Sequence, residues 1–143
     1  MTSVREQIFA RIEWQLNAVY AAQEIERMPS SEPAAFPALH IFDGGDEPAD
    51  GEAGTDRWAM SVEIEGTVEG GTGSEAHAAM NALDAKVIET LFAEPLLDGL
   101  VTEIEASSFK PQVVERASRR RLGFVRGLTI FYATRRGSPQ VID

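Results

Sequence analysis

The residues of this chain whose types could do chemistry are few: two histidines, a stretch of acids interleaved with glycines, a pair of strand glutamates and one glycine-rich turn. His40 lies in the apolar run Ala38-Leu39-His40-Ile41-Phe42, and His77 falls in the first turn of a later helical segment. They therefore sit on different elements, and a strand histidine is more commonly a hydrogen-bonded, half-buried residue than a catalyst. HExxH, a serine elbow and a P-loop are all missing; Gly70-Gly71-Thr72-Gly73-Ser74 lacks the lysine and the full glycine spacing. Glu63 and Glu65, two residues apart on one strand face, could be imagined as an acid/base pair. Such pairs need surroundings that push their pKa values apart, which an open wet face does not supply, so a solvated strand face is the preferred reading. The stretch Asp43 to Asp56 carries acids at 43, 46, 47, 50, 52 and 56 and glycines at 44, 45, 51 and 54. An EF-hand begun at Asp43 fails at its third position, which is Gly45, and no GGxGxDx repeat is present. Loose coordination of a cation by several of these carboxylates stays open beside the plainer reading, a solvent-exposed mobile loop. No catalytic residue, metal-ligand set or cofactor site is assigned.

The element that must position everything else is Arg57 to Glu69 (RWAMSVEIEGTVE). Trp58, Met60, Val62, Ile64 and Val68 alternate with Ala59, Ser61, Glu63, Glu65, Thr67 and Glu69. Period two over a dozen residues predicts a long strand with one face on a core and the other wet. Before it, Ser3-Val4-Arg5-Glu6 has capping-box spacing, and Val4, Ile8, Ile12, Leu16 and Val19, flanked by Phe9 and Tyr20, predict an amphipathic helix to about Ile25. Trp14 lies off that stripe. Three prolines in Met28–Pro37 predict an extended connector, then a short strand Ala38–Phe42 and the acidic loop 43–56 as the tip of a hairpin. Ser74 is placed as the cap of a second helix to about Ala93, with Ala76, Met80, Leu83, Val87 and Leu91 inward. Leu100–Ala106 reads as a third strand, Phe109–Leu122 as a turn or ragged hairpin carrying Arg116, Arg119, Arg120 and Arg121, and Phe124–Thr134 as the last strand. The expected fold is one α+β domain over 1–143: two helices and a mostly antiparallel four-stranded sheet, in the order α-β-β-α-β-β.

With 143 residues the chain has the length of one ordinary domain. It has no cysteine, which fits a reducing compartment and rules out disulfides and thiolate metal sites. The N-terminus lacks the apolar core of a signal peptide, and no apolar run reaches membrane-helix length, so no membrane partner is expected. A net charge of −10 argues against free nucleic acid as a ligand. The charge is uneven: residues 1–109 hold 21 acids and 5 bases, whereas 110–143 hold 8 bases and 2 acids. This is either the accident of a short basic segment, 110–136, or a subunit whose basic side meets the acidic side of an identical neighbour. In the last strand Phe124, Leu128, Ile130 and Tyr132 must face the core. The opposite face, Val125, Gly127, Thr129, Phe131 and Ala133, is too apolar to be simply bathed in water, so either another element of the chain or a second subunit covers it, the subunit being the preferred reading.

Taken together, VREQIFARIE, FPALHIFDGGDE, the strand DRWAMSVEIEGTVEG, the helix EAHAAMNALDAKVIETLF and the closing GFVRGLTIFYATRRG resemble the tail terminator proteins of long-tailed phages, the minor tail protein U-like group. The likeness covers roughly Val4 to Arg136. It implies a non-enzymatic virion protein, assembled in the host cytoplasm. Such a protein forms a hexameric ring that caps the tail tube at its head-proximal end, stops its polymerisation and meets the head connector. Expected partners are copies of itself, the tube protein, the head–tail connector or neck protein, and phage DNA passing through the channel without specific binding. On this reading Val125, Phe131, Ala133, Arg119, Arg120 and Arg121 are assigned to the subunit interface. Asp43, Asp46, Glu47, Asp50, Glu63, Glu65 and Glu69 are assigned to the lumen or tube contact. Two alternatives remain: a connector or completion protein of the neck, and a small metal- or ligand-binding domain or enzyme using the 43–56 loop and His40.

Overall fold

Ser3 starts the first helix as expected, its hydroxyl accepting from the Glu6 N–H at 3.1 Å, while the Glu6 carboxylate pairs with Arg27 and does not complete the capping box. In this computed structural model, residues 2–116 and 119–143 are described, 114–116 and 119–120 through their backbone alone. Helix α1 (Val4–Ala18) buries Val4, Ile8, Phe9, Ile12 and Leu16. It ends well before Ile25. Tyr20 turns into the left-handed region at φ 51°, and the Ala21 N–H donates back to the Leu16 carbonyl at 3.1 Å. Val19, expected on the inward stripe, and Tyr20, expected to flank it, are therefore 40% and 91% exposed.

The segment released by that turn becomes a strand, β1 (Glu24–Arg27), which pairs in parallel with β2 (Ala38–Ala49). The proline-rich residues 28–37 form the crossover between them, as parallel pairing demands. β2 does not stop at Phe42. Gly44 and Gly45 lie in a bulge, Gly45 at φ +91° and Gly44 so close to Ser61 that a Cβ there would come within 2.9 Å of its side chain. The strand then resumes through Ala49 and pairs with β3 (Thr55–Glu69), so the expected 14-residue loop shrinks to a tip at 50–54. Helix α2 (Gly73–Leu91) is capped by Thr72 and not by Ser74, with Thr72 and Glu75 forming a reciprocal capping box. Its buried residues are the expected Ala76, Met80, Leu83, Val87 and Leu91. A short 3-10 turn, Leu96–Gly99, leads to β4 (Glu103–Arg116), β5 (Arg119–Arg135) and β6 (Ser138–Ile142).

The four-stranded, mostly antiparallel sheet in the order α-β-β-α-β-β is thus overturned. The order is α-β-β-β-α-β-β-β, and the sheet is six-stranded and mixed, arranged β1-β2-β3-β5-β4 with β6 paired to β5. β5 is the central scaffold. It runs antiparallel to β3 from Thr55↔Arg135 to Glu69↔Arg121, and to β4 on its other side, so of the two readings of Phe109–Leu122 the hairpin holds and the turn does not, the described residues there being paired strand. Pro111 is tolerated because β4 is an edge, where a missing donor costs no ladder bond. Both helices lie on one face of the sheet. Their inward stripes join Leu39, Ile41, Met60, Val62, Ile64, Phe124, Leu128 and Ile130 in a single apolar cluster. Each large side chain buried there contributes about 1.5–3 kcal/mol. Among the described residues no helix is long and apolar enough to cross a membrane.

Candidate assembly surface

Paired residues of a sheet share a face, so the strand register defines what stands on the side away from the helices. One row across it reads Glu26, His40, Glu65, Val125 and Lys110, from β1, β2, β3, β5 and β4. The next holds Phe42, Glu63, Gly127 and Ser108, then Ser61, Thr129 and Glu105, then Glu47, Ala59, Phe131 and Glu103. The β5 column of this face, with Val125, Thr129 and Phe131 half-buried and Ala133 buried, is apolar apart from the one hydroxyl. Carboxylates frame it, Glu63 and Glu65 from β3 and Glu103 and Glu105 from β4. Adjacent strands lie about 4.8 Å apart, so each acidic row is within side-chain reach of the stripe. The arrangement suits a partner with an apolar ridge and basic flanks, and it repels phosphate.

The residues assigned to a lumen or tube contact divide among three environments. Glu47, Glu63 and Glu65 stand on this outer face, and Asp50 is exposed at the β2–β3 tip. Glu69 is on the same face but accepts from Arg121 Nε at 2.8 Å. Asp43 and Asp46 are on the helix side, opposite the core residues Val62 and Met60, because the bulge keeps both aspartates on one face. There Asp43 accepts from Arg5 Nη1 and Nη2, each at 2.5 Å, and Asp46 Oδ2 accepts from Arg5 Nε at 3.0 Å and from the Tyr132 hydroxyl at 2.6 Å. The Arg5 hydrogen bonds hold the Asp43 carboxyl below the ordinary aspartate range, while burial pushes the Tyr132 hydroxyl up.

Of the interface set, Val125, Phe131 and Ala133 share the stripe. Arg121 stands beside it, bound to Glu69 and with its guanidinium 4.6 Å from the Phe36 ring centroid. The side chains of Arg119 and Arg120 lie outside the described residues, as does that of Arg116. Elsewhere in the basic segment, Arg126 donates to Asp84 on α2 at 2.9 and 2.7 Å, and Arg136 approaches Asp56 at 3.8 Å. Part of the positive charge of 110–136 is therefore neutralised within the chain.

Two features go beyond what the sequence indicates, although the expectation that His40 is a hydrogen-bonded strand residue holds. One is a cleft of about 510 Å³ between the end of α1 and α2, lined by Tyr20, Ala21, Phe36, Pro37, Ala79 and Leu83 among others, with Lys86 and Glu69 also in its wall. Its only sequence signal was the run of alanines on α2. The other surrounds His40, which is buried on the outer face at 5% exposure, with Nε2 2.5 Å from Glu24 Oε2. That hydrogen bond lowers the Glu24 pKa, helped by the Ala34 N–H, which also donates to Glu24. His77 is exposed on the first turn of α2, away from this pair.

No protein-family model matches the chain, and no curated protein matches it. Among solved structures it is similar to a chain from the virion of a native gene transfer agent particle, at 16% identity over 90% of this chain and 92% of that one, with a TM-score of 0.48. That degree of overlap assigns neither family nor role.

Proposed function

We propose that this chain is a non-enzymatic structural protein of a phage-like virion, which works by adhering to copies of itself and to other virion proteins. The observation that carries the reading is the β5 stripe, where Val125, Thr129 and Phe131 stand half-buried on a face that the helices leave open. An apolar strip in such a position gains by being covered. The Tyr20 cleft is a second apolar patch in a different place. Two unlike patches on one subunit are what a head-to-tail contact needs, and such contacts close into rings when the rotation permits. In its fuller form the proposal is a ring, hexameric as the sequence resemblance implies, that caps the tail tube at its head-proximal end and joins it to the connector. Glu47, two strands away from the stripe, would then present like charge to passing DNA, which keeps phosphate from adhering.

The test is mass in solution, by light scattering behind a sizing column, with and without purified tail-tube protein. The wild-type chain is expected above monomer mass, alone or on meeting the tube. Phe131→Glu places a charge in the stripe and is expected to abolish that assembly while leaving the thermal midpoint within about 2 °C, since Phe131 lies outside the helix-side core. A wild-type chain that stays monomeric at all concentrations and ignores tube protein would end the proposal. So would a Phe131→Glu chain that assembles as the wild type does.

A further inference from the structure

The parallel pairing of β1 with β2 sets Glu26 directly beside His40, with Glu24 one step along the same face. One donor atom from each of the three lies within 4.8 Å of the others. Two of the three are held in place by the fold: the His40 ring is buried, and the Glu24 carboxylate is fixed by His40 and by the Ala34 N–H at 3.0 Å. Glu26 is exposed and stands beside His40 in the ladder. On the far side of His40 the β3 register adds Glu65, so one imidazole has three carboxylates as strand neighbours. The nearest arginine in sequence, Arg27, points to the other face and is bound to Glu6 and Glu13 of α1.

We propose that Glu24, Glu26 and His40 form a binding site for a divalent first-row transition ion of the zinc class. One imidazole nitrogen and two carboxylate oxygens are borderline ligands that suit Zn²⁺, whereas Mg²⁺ and Ca²⁺ prefer an all-oxygen shell. Three protein ligands leave a fourth position to water. Binding would tie the four-residue edge strand β1 to β2 and, through Glu24 and Ala34, secure the crossover 28–37. A simple histidine–glutamate hydrogen bond accounts for Glu24 and His40 equally well, but it makes no use of Glu26. The two explanations therefore part at that residue.

The experiment uses the full chain, stripped with a chelator and titrated with ZnCl₂ by calorimetry, and followed in parallel by thermal denaturation with ZnCl₂ or MgCl₂. Expected are one zinc per chain, a rise in melting temperature with zinc and none with magnesium at equal concentration. Glu26→Gln should weaken zinc binding at least tenfold while leaving the metal-free melting temperature unchanged, and His40→Gln should abolish binding. If His40→Gln fails to fold, Glu26→Gln decides alone. His77→Gln serves as control and should bind zinc as the wild type does. Absence of zinc-dependent heat and stabilisation in the wild type overturns the proposal, as does an affinity that Glu26→Gln leaves intact. Neither result bears on whether the β5 stripe drives assembly.

Discussion

Replacing Arg5 by methionine tests whether Asp43 and Asp46 are interior partners or water-facing acids. Methionine keeps a flexible apolar stem and removes the guanidinium, which supplies three hydrogen bonds and lies 5.5 Å from the Phe9 ring centroid. The two carboxylates are 29% and 17% exposed and the arginine 32%, so the network lies between a surface pair, worth up to about 1 kcal/mol, and a fully buried pair, whose breakage costs about 3–5 kcal/mol. Tyr132 still donates to Asp46 in the variant, which limits the loss. The expected cost is about 2 kcal/mol, or some 6–8 °C in melting temperature for a domain of this size. Urea denaturation should show a lower midpoint with unchanged slope. The acid dependence gives a second reading. Arg5 depresses the Asp43 pKa in the folded state, so its contribution is fully present above the unfolded aspartate value near 3.9 and is lost as pH falls through the lower folded value. The gap between wild type and variant should therefore be constant above about pH 5 and close steadily below about pH 4. A loss under about 0.5 kcal/mol, or a gap independent of pH down to 3, would refute the network and return both aspartates to the solvent.

Two further substitutions probe how the sheet is held. Gly66 is buried opposite Leu39 and Phe124, and a Cβ there would fall inside the Phe124 ring, which is itself stacked on Phe109 at 5.3 Å. Gly66→Ala should cost about 2–3 kcal/mol by urea denaturation and alter the near-ultraviolet aromatic signal; wild-type stability would mean that the ring is not seated there. Asp84→Asn leaves Arg126 half-buried without its carboxylate, although its stacking on Phe109 at 4.9 Å and its bond to the Ser108 carbonyl persist. A loss of about 2 kcal/mol is expected, and one below about 0.5 kcal/mol would show that α2 is held to β5 by apolar contact alone.

What could be read from the chain alone was whatever depends on a long, regular period. The alternation of β3 and the inward stripes of both helices, Val19 excepted, survive because those residues are placed by burial against one core. The elements that went unseen are those whose local preference conflicts with their place in the fold. Gly44-Gly45 has the composition of a loop opening, yet a glycine pair serves equally well as a bulge, and only a paired neighbour such as β3 tells the two apart. The arginine-bearing segment from Phe109 to Leu122 lacks a clean hydrophobic alternation, since β4 is an edge strand with little to bury beyond Phe109, and its strand character comes from pairing with β5.

The sharpest case is the run from Ala21 to Arg27. Alanine, glutamine, glutamate and arginine are good helix formers, so local propensity continues α1 through Ile25, and on a helix Glu24 and Glu26 would be two unrelated surface acids. In the structure Tyr20 takes the left-handed conformation, and Ile25 is the apolar residue that draws β1 against the core. The parallel ladder to β2 then supplies the backbone bonds that the helix would have made for itself. That exchange, a few residues of helix for a few of edge strand, is decided by packing that no local window contains. It also decides the chemistry: only in the extended form do both glutamates stand on the same face as His40, one beside it and one within hydrogen-bond reach. The misread strand and the unseen histidine cluster thus have one cause, and any perturbation that returns 21–27 to helix would remove both together.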